Sequence, residues 1–344
     1  MSLFRLIEAS VRWLIPFLAA TAWAQTPCQT GARLFAARQY AQAQEPLWAC
    51  VNAGTDTKDP AHQLALTYRE LKNYDLGWTK TEKALARQPE SVDVLYIAGF
   101  LKFRMGDHRE SIRLLGQAFR LDNYDWRVHQ AFALNYIAMD IRPGALAELE
   151  TSLKLNPANA ELYYQLARLQ YVEMRIPESI AASKKALALF PGYTEVYSNL
   201  GLCYEALAQI EEARKNYDLA IVLTGKHGSR DEWPYINFGA FLATHGEPER
   251  ALPLLKEALA RNPKSVRALY YMGRALGKLG RGEEAKPFLE EAIRLDPGDS
   301  GAYYELGMLL ARTGETARSR QLLDRFTVLK EQERERPATI QEVR

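Results

Sequence analysis

From about residue 24 onward this chain repeats itself with a period of roughly 34 residues. The prolines show it first. Pro89, Pro157, Pro191, Pro263 and Pro297 each close an apolar helical stretch. Pro89 to Pro157 spans two periods, and Pro157 to Pro191 and Pro263 to Pro297 span one each. A period of this size means stacked supersecondary units, each of which buries its apolar face only against its neighbours.

Units starting at 24, 58, 92, 126, 160, 194, 232, 266 and 300 bring nine copies into phase, with a four-residue insertion, Gly228 to Asp231, between the sixth and seventh. Position 8 is small throughout: Gly31, Ala65, Gly99, Ala133, Ala167, Gly201, Gly239, Gly273 and Gly307. Position 20 is also small, and position 27 is alanine in six units. Positions 7 and 24 are mostly large and apolar, as in Leu200 with Tyr217 and Met272 with Leu289. Apolar residues at helical spacing in each half predict two helices per unit. Met105-Gly-Asp, His245-Gly-Glu, Leu279-Gly-Arg and Thr313-Gly-Glu predict the turns between halves. Pro253 and Pro287 are expected near the start of a second helix, where backbone N–H groups have few partners.

This pattern resembles the tetratricopeptide repeat, and the resemblance covers most of the chain. It implies an all-α, right-handed solenoid of about nine helix-turn-helix units. The expected organisation is a targeting segment at 1–24, the repeat array at 25–333 and a polar, disordered tail at 334–344.

With 44 basic and 42 acidic side chains, the chain carries no field that would steer it to nucleic acid or anionic lipid. Arg5 and Arg12 precede an apolar run from Trp13 to Ala24, and Ala22-Trp23-Ala24 offers small residues for cleavage before Gln25. This reads as a bacterial-type export signal, which would make the mature chain periplasmic or secreted. The apolar run is too short to span a bilayer comfortably, so no membrane span is expected after cleavage; an uncleaved anchor is the alternative. Export would let Cys28 and Cys50 form a disulfide, since both lie equally far from the turn of the first hairpin. They could equally be two separate small apolar residues. Cys203 has no partner in this frame and is expected to be buried.

No catalytic, metal or cofactor site can be assembled. His62, His108, His129, His227 and His245 fall in different units without ligand spacing, and are expected on helix surfaces or turns. Gly273-Arg-Ala-Leu-Gly277-Lys278 is one residue short of a phosphate loop and lacks the Ser or Thr after its lysine. Paired acids such as Glu211-Glu212 and Glu283-Glu284 read as solvated outer-face charge rather than acid–base machinery. The function expected is that of a non-catalytic scaffold with a protein or peptide partner.

The resemblance implies that the first helix of each unit lines a concave groove through positions 2, 5, 6, 9, 12 and 13. Early units place Tyr96, Phe100, Phe103 and Arg104 there. Later units place Tyr164, Gln165, Arg168, Tyr171, Ser198, Asn199, Trp233, Asn237, Tyr270, Tyr271, Arg274, Lys278, Tyr304 and Arg312. An extended peptide would suit them: Asn199 and Asn237 can offer a donor and an acceptor, Arg168, Arg274 and Lys278 can pair with carboxylates, and the tyrosines supply rigid contact area. The position-4 tyrosines, Tyr163, Tyr197, Tyr235 and Tyr303, are expected in the core. Association through the edges or the convex face, as a structural component of an envelope assembly, is the alternative.

Overall fold

The computed structural model describes residues 26–54, 58–227 and 231–335. The expected targeting segment, most of the four-residue insertion and most of the expected tail lie outside the described residues. Eighteen helices follow one another, with no strand among the described residues. They alternate as first and second helices of the repeats: α1 (Pro27–Ala36) and α2 (Tyr40–Ala53), α3 (Lys58–Leu71) and α4 (Tyr74–Arg87), α5 (Val92–Arg104) and α6 (His108–Leu121), α7 (Trp126–Ala138) and α8 (Arg142–Leu155), α9 (Ala160–Val172) and α10 (Ile176–Leu189). They continue as α11 (Thr194–Ala206) and α12 (Ile210–His227), α13 (Trp233–Thr244) and α14 (Pro248–Arg261), α15 (Val266–Lys278) and α16 (Gly282–Leu295), α17 (Ser300–Thr313) and α18 (Thr316–Glu335). This is an all-α tetratricopeptide-type solenoid of nine helix pairs. It divides into two compact units, Met1–Met105 and Gly106–Arg344.

Side chains at the helix starts satisfy backbone N–H groups that have no intrahelical partner. Thr26 Oγ1 accepts from Gln29 N–H, and Gln29 Oε1 accepts from Thr26 N–H, closing a capping box. Asn159 Oδ1 accepts from Glu161 and Leu162 at the head of α9. Asp231, the last residue of the insertion, accepts from Trp233 N–H at 3.2 Å just ahead of α13, whose N-cap Glu232 makes no side-chain cap bond.

Within each pair the helices meet at the small position 8. A Cβ added to Gly201 would lie 2.5 Å from the Tyr217 ring, and one on Gly273 would lie 2.5 Å from Leu289 Cγ. Position 24 therefore sets the size of position 8. Where position 24 shrinks to Thr81 or Ser183, position 8 carries alanine, at Ala65 and Ala167. Ala133, which shares a cluster with Leu149, is the exception.

Pro253 and Pro287 are not in the first turn as expected. Each is the sixth residue of its helix, and Pro46 is the seventh of α2. There each removes an N–H that would bond one turn back, a cost that packing of the second helix must offset.

Position 15 is left-handed in every repeat. Gly106, Gly246, Gly280 and Gly314 take it with φ from +73° to +90°; Arg38, Lys72, Asp140, Met174 and Ala208 take it with φ from +53° to +58°. The next N–H then reaches back to the last full turn, as Arg175 does to the Gln170 carbonyl and Gln209 to the Tyr204 carbonyl. Such a bond closes a helix C-terminus. A side chain costs roughly 1–2 kcal/mol in this conformation, whereas glycine costs only its extra chain entropy. Met174→Gly and Ala208→Gly should therefore each stabilise by about 0.5–1 kcal/mol, raising the urea midpoint. A fall in midpoint for both would show that these side chains are held by contacts worth more than the strain.

Candidate protein-binding face

In the second unit, α9 touches α11, α11 touches α13, α13 touches α15 and α15 touches α17. First helices thus stack on first helices and present one continuous face.

On α9 the Tyr164 ring lies 5.1 Å from Tyr193, with the Arg168 guanidinium 5.8 Å from its centre. Burial pushes the Tyr164 hydroxyl up to about 12. Gln165 donates to Glu161 at 3.4 Å, and its carbonyl oxygen has no hydrogen-bond partner. That oxygen is itself buried, so it lies beneath the face rather than on it.

Asn199 and Asn237 differ from expectation. They are only 4% and 7% exposed. Asn199 Nδ2 donates back into the preceding repeat, to Ser179 at 3.2 Å and Ser183 at 3.1 Å. Asn237 Nδ2 donates to Ser198 of its preceding repeat at 2.9 Å. The cause is local: small serines leave room into which a short amide turns, so both donors serve as struts between repeats. Ser179 also donates to the Ala167 carbonyl and touches Cys203, which is buried as expected.

On α15, Tyr270 and Tyr271 meet edge to face at 4.8 Å. Arg274 donates to the Tyr270 hydroxyl at 3.3 Å and pairs with Glu305 of α17 at 3.3 Å. Lys278 donates to the Ala243 carbonyl at 2.6 Å. Tyr304 packs against Phe326 at 5.1 Å yet stays 41% exposed, and Arg312 is exposed at the end of α17. Burial pushes the Tyr270 hydroxyl to about 12 and raises Glu305, while Arg274, Lys278 and Arg312 oppose the rise at Glu305.

The middle of the face holds groups that sequence reasoning passed over. Tyr217, from the second helix α12, donates to Glu205 at 2.9 Å, and His245 Nδ1 lies 3.9 Å from the same carboxylate. Burial, with Glu205 beside it, holds the Tyr217 hydroxyl well above its ordinary range. Burial likewise raises Tyr171, which lies in the field of Glu205 and Arg267. Glu205 and Arg267 occupy groove positions 12 and 2, so the signal was present but lay in charged rather than aromatic residues.

Two of the first unit's candidates, Tyr96 and Phe100, are packed rather than presented, while Phe103 and Arg104 are half-buried. Tyr96 and Phe100 are 1% and 5% exposed, and the Tyr96 hydroxyl sits 2.8 Å from His62 Nδ1. Arg104 donates to Tyr74. Of the position-4 tyrosines, only Tyr235 is buried, under the Arg261 guanidinium at 4.1 Å; Tyr163, Tyr197 and Tyr303 are half-buried. His129 is not a surface histidine either. It is buried between Glu148 at 2.6 Å and the Asn123 carbonyl at 3.1 Å, and the Glu148 hydrogen bond raises its pKa. No cluster of His, Cys, Asp or Glu fit to hold a metal occurs among the described residues. No helix among them is long and apolar enough to cross a membrane.

The chain is similar to known proteins in the same terms. Sequence profiles of the tetratricopeptide repeat match residues 194–227, 242–300 and 272–333. The BBSome complex member BBS4 of Bos taurus is 26% identical over 168 residues, 49% of this chain and 31% of that protein. Its Mus musculus counterpart is 24% identical over 140 residues, 41% of this chain and 27% of that one. The match thus spans less than a third of either relative. Among solved structures, the APC/C hetero-tetramer Cut9–Hcn1 superposes with a TM-score of 0.73 at 14% identity, covering 83% of this chain and 55% of that one. Pseudomonas aeruginosa pilF superposes with a TM-score of 0.55 at 18% identity, covering 65% and 99%. With nine phased helix pairs, a position-8 contact that leaves no room for a side chain, and these matches, the chain is a tetratricopeptide-repeat protein.

Proposed function

We propose that this protein is a non-catalytic adaptor whose α9–α17 face holds an extended segment of a partner protein. One observation carries the reading. Tyr164, Gln165, Arg168, Tyr270, Tyr271, Arg274, Lys278, Tyr304 and Arg312 are all at least partly accessible on first helices that touch in series. Rings and guanidinium groups make up the usual anchor chemistry of a protein interface. Membership of a multi-protein complex, as named for the bovine relative, supports the same reading. The same proposal places the mature chain outside the cytoplasm: the Cys28–Cys50 bridge suits an oxidising compartment, and the residues before Gln25 have the make-up of a cleaved signal.

The test is affinity capture from the native envelope with wild-type bait beside an Arg168→Ala/Tyr271→Ala/Tyr304→Ala bait. All three side chains keep solvent access, so truncation should leave helical content unchanged. The expected result is a partner lost by at least ~10-fold in the variant. Equal capture by both baits would remove the function from this face. It would then favour an edge, where Met139, Ile141, Met174 and Leu207 line successive turns as exposed large apolar residues.

A further inference from the structure

We propose that the edge formed by the turns of the fourth, fifth and sixth repeats docks on the same edge of a second copy of this chain, antiparallel, about a twofold axis through Met174. The inference does not rest on the groove reading, since these turns lie at the edge of the stack and not on its first-helix face.

Met174 follows α9 in the left-handed region, φ +56°, where the third, seventh, eighth and ninth repeats hold glycine. Its side chain is 73% exposed, so little within the chain packs on it to offset that strain. Asp140, in the same conformation, has a local use: its carboxylate accepts from Arg142 at 2.8 Å. A large apolar side chain held in a strained conformation and turned to solvent has its use outside the chain.

It does not stand alone. Met139 and Ile141 lie on the turn before it and Leu207 on the turn after it, all exposed. Arg142 of the first turn reaches Glu173 of the second at 3.1 Å, and Ser179 of α10 meets Cys203 of α11 at 3.2 Å, so the three turns are neighbours. The later turns break the stripe, with glycine at the left-handed position followed by Glu247, Arg281 and Glu315. A contiguous exposed apolar row of this kind marks an interaction surface.

Two features select a second copy. The charges bordering the stripe are closed within the chain: Arg142 holds Asp140 and Glu173, and Arg175 holds Glu178 at 3.1 Å. That leaves no cationic surplus for an anionic bilayer, and the exposed Glu211 and Glu212 at the start of α12 repel one as well. A twofold contact sets an edge against itself, which closed pairs tolerate and a row of free like charges along the stripe would not. The stripe is also alike in kind on either side of Met174, with apolar knobs one repeat away in both directions. An antiparallel copy therefore brings Met139 and Ile141 opposite Leu207 on both sides of the axis. It sets the two Met174 thioethers side by side, where their flexibility lets them interdigitate.

Sedimentation velocity of the full mature chain between about 1 and 200 µM reads the state directly, a range set by the weak affinity of a short stripe. Wild type should pass from monomer to dimer, and about tenfold higher salt should leave the midpoint within a factor of ~3. Met174→Asp and Met174→Lys should each be monomeric, weakened at least ~30-fold by like charges on the axis. The turn accepts both residues, as Asp140 and Lys72 show in the same backbone conformation. An equimolar mixture of the two variants should regain the dimer. Met174→Gly should weaken dimerisation at least ~10-fold and yet raise the urea midpoint of the dilute chain, a combination that misfolding cannot produce. A wild type that stays monomeric, a dimer untouched by Met174→Asp, a mixture that stays monomeric, or a dimer dissolved by salt would overturn the proposal. So would a monomer that floats with neutral phosphatidylcholine vesicles, which gives the edge to a bilayer. A monomer whose Met174→Asp bait loses a captured partner gives the edge to another protein and overturns it too. The groove variant Arg168→Ala/Tyr271→Ala/Tyr304→Ala should dimerise like wild type, so failure of one reading is distinguishable from failure of the other.

Discussion

Replacing Asp125 with alanine is expected to cost about 3–5 kcal/mol of stability. Asp125 and Arg127 are both completely buried at the head of α7. Asp125 Oδ1 accepts from the Arg127 backbone N–H and from its Nε, each at 2.9 Å, and Oδ2 pairs with the second guanidinium nitrogen. One carboxylate therefore caps the helix and neutralises a buried cation. Removing it takes away the guanidinium's two-pronged partner in a medium where poorly compensated charge is far more expensive than in water.

The double variant Asp125→Ala/Arg127→Leu separates the two effects. It restores no bond but leaves no orphaned charge, so it should be more stable than Asp125→Ala alone. Urea unfolding followed by circular dichroism, with hydrogen exchange on α7 and α8, reads both, because a repeat array can open near the lesion before it unfolds as a whole. A loss below about 1 kcal/mol for Asp125→Ala would mean that the guanidinium finds water when its partner is removed.

Periodicity carried the helices well because a fixed repeat length leaves few ways to place them. The frame at 58, 92, 126, 160, 194, 266 and 300 coincides with the first residues of α3, α5, α7, α9, α11, α15 and α17. The turns were legible only where they hold glycine. Arg38, Lys72, Asp140, Met174 and Ala208 adopt the same left-handed conformation without any residue signal. The Cys28–Cys50 pairing stayed open for a different reason. Equal distance from a turn gives level along the hairpin but not the direction of each side chain.

Direction is also what limited the site. Position 2 was expected to face the groove, yet Arg127 at that position is fully buried on Asp125. Position 6 was expected to present amides, yet Asn199 turns inward because position 24 of the preceding repeat is Ser183 rather than leucine. Position 5 presents Tyr304 but buries Tyr96. Each outcome depends on the particular residue that meets the side chain, Asp125 for Arg127, His62 for Tyr96 and Ser183 for Asn199, which a position-by-position reading does not weigh.

Reduction of the Cys28–Cys50 disulfide should loosen the first repeat by about 3 kcal/mol while leaving the second unit's stability unchanged. The bridge joins α1 to α2 across 22 residues, with Cα atoms 4.9 Å apart. Loop-closure entropy for a ring of that size gives the magnitude. The first repeat is where such a staple matters, since among the described residues its helices rest on α3 and on nothing before them. Cys203 is the internal control: it is buried in the second unit and burial pushes its thiol up to about 11, so it should stay unreactive until the chain unfolds. Thiol titration of the denatured, unreduced protein should find one free cysteine, and reduction should raise it to three. Hydrogen exchange in α1 and α2 should then quicken by about two orders of magnitude, as a change of about 3 kcal/mol implies. Three free thiols before reduction would remove both the staple and the strongest structural support for an oxidising compartment. A bridge present without any change in exchange would place the stability of the first repeat in its packing on α3 instead.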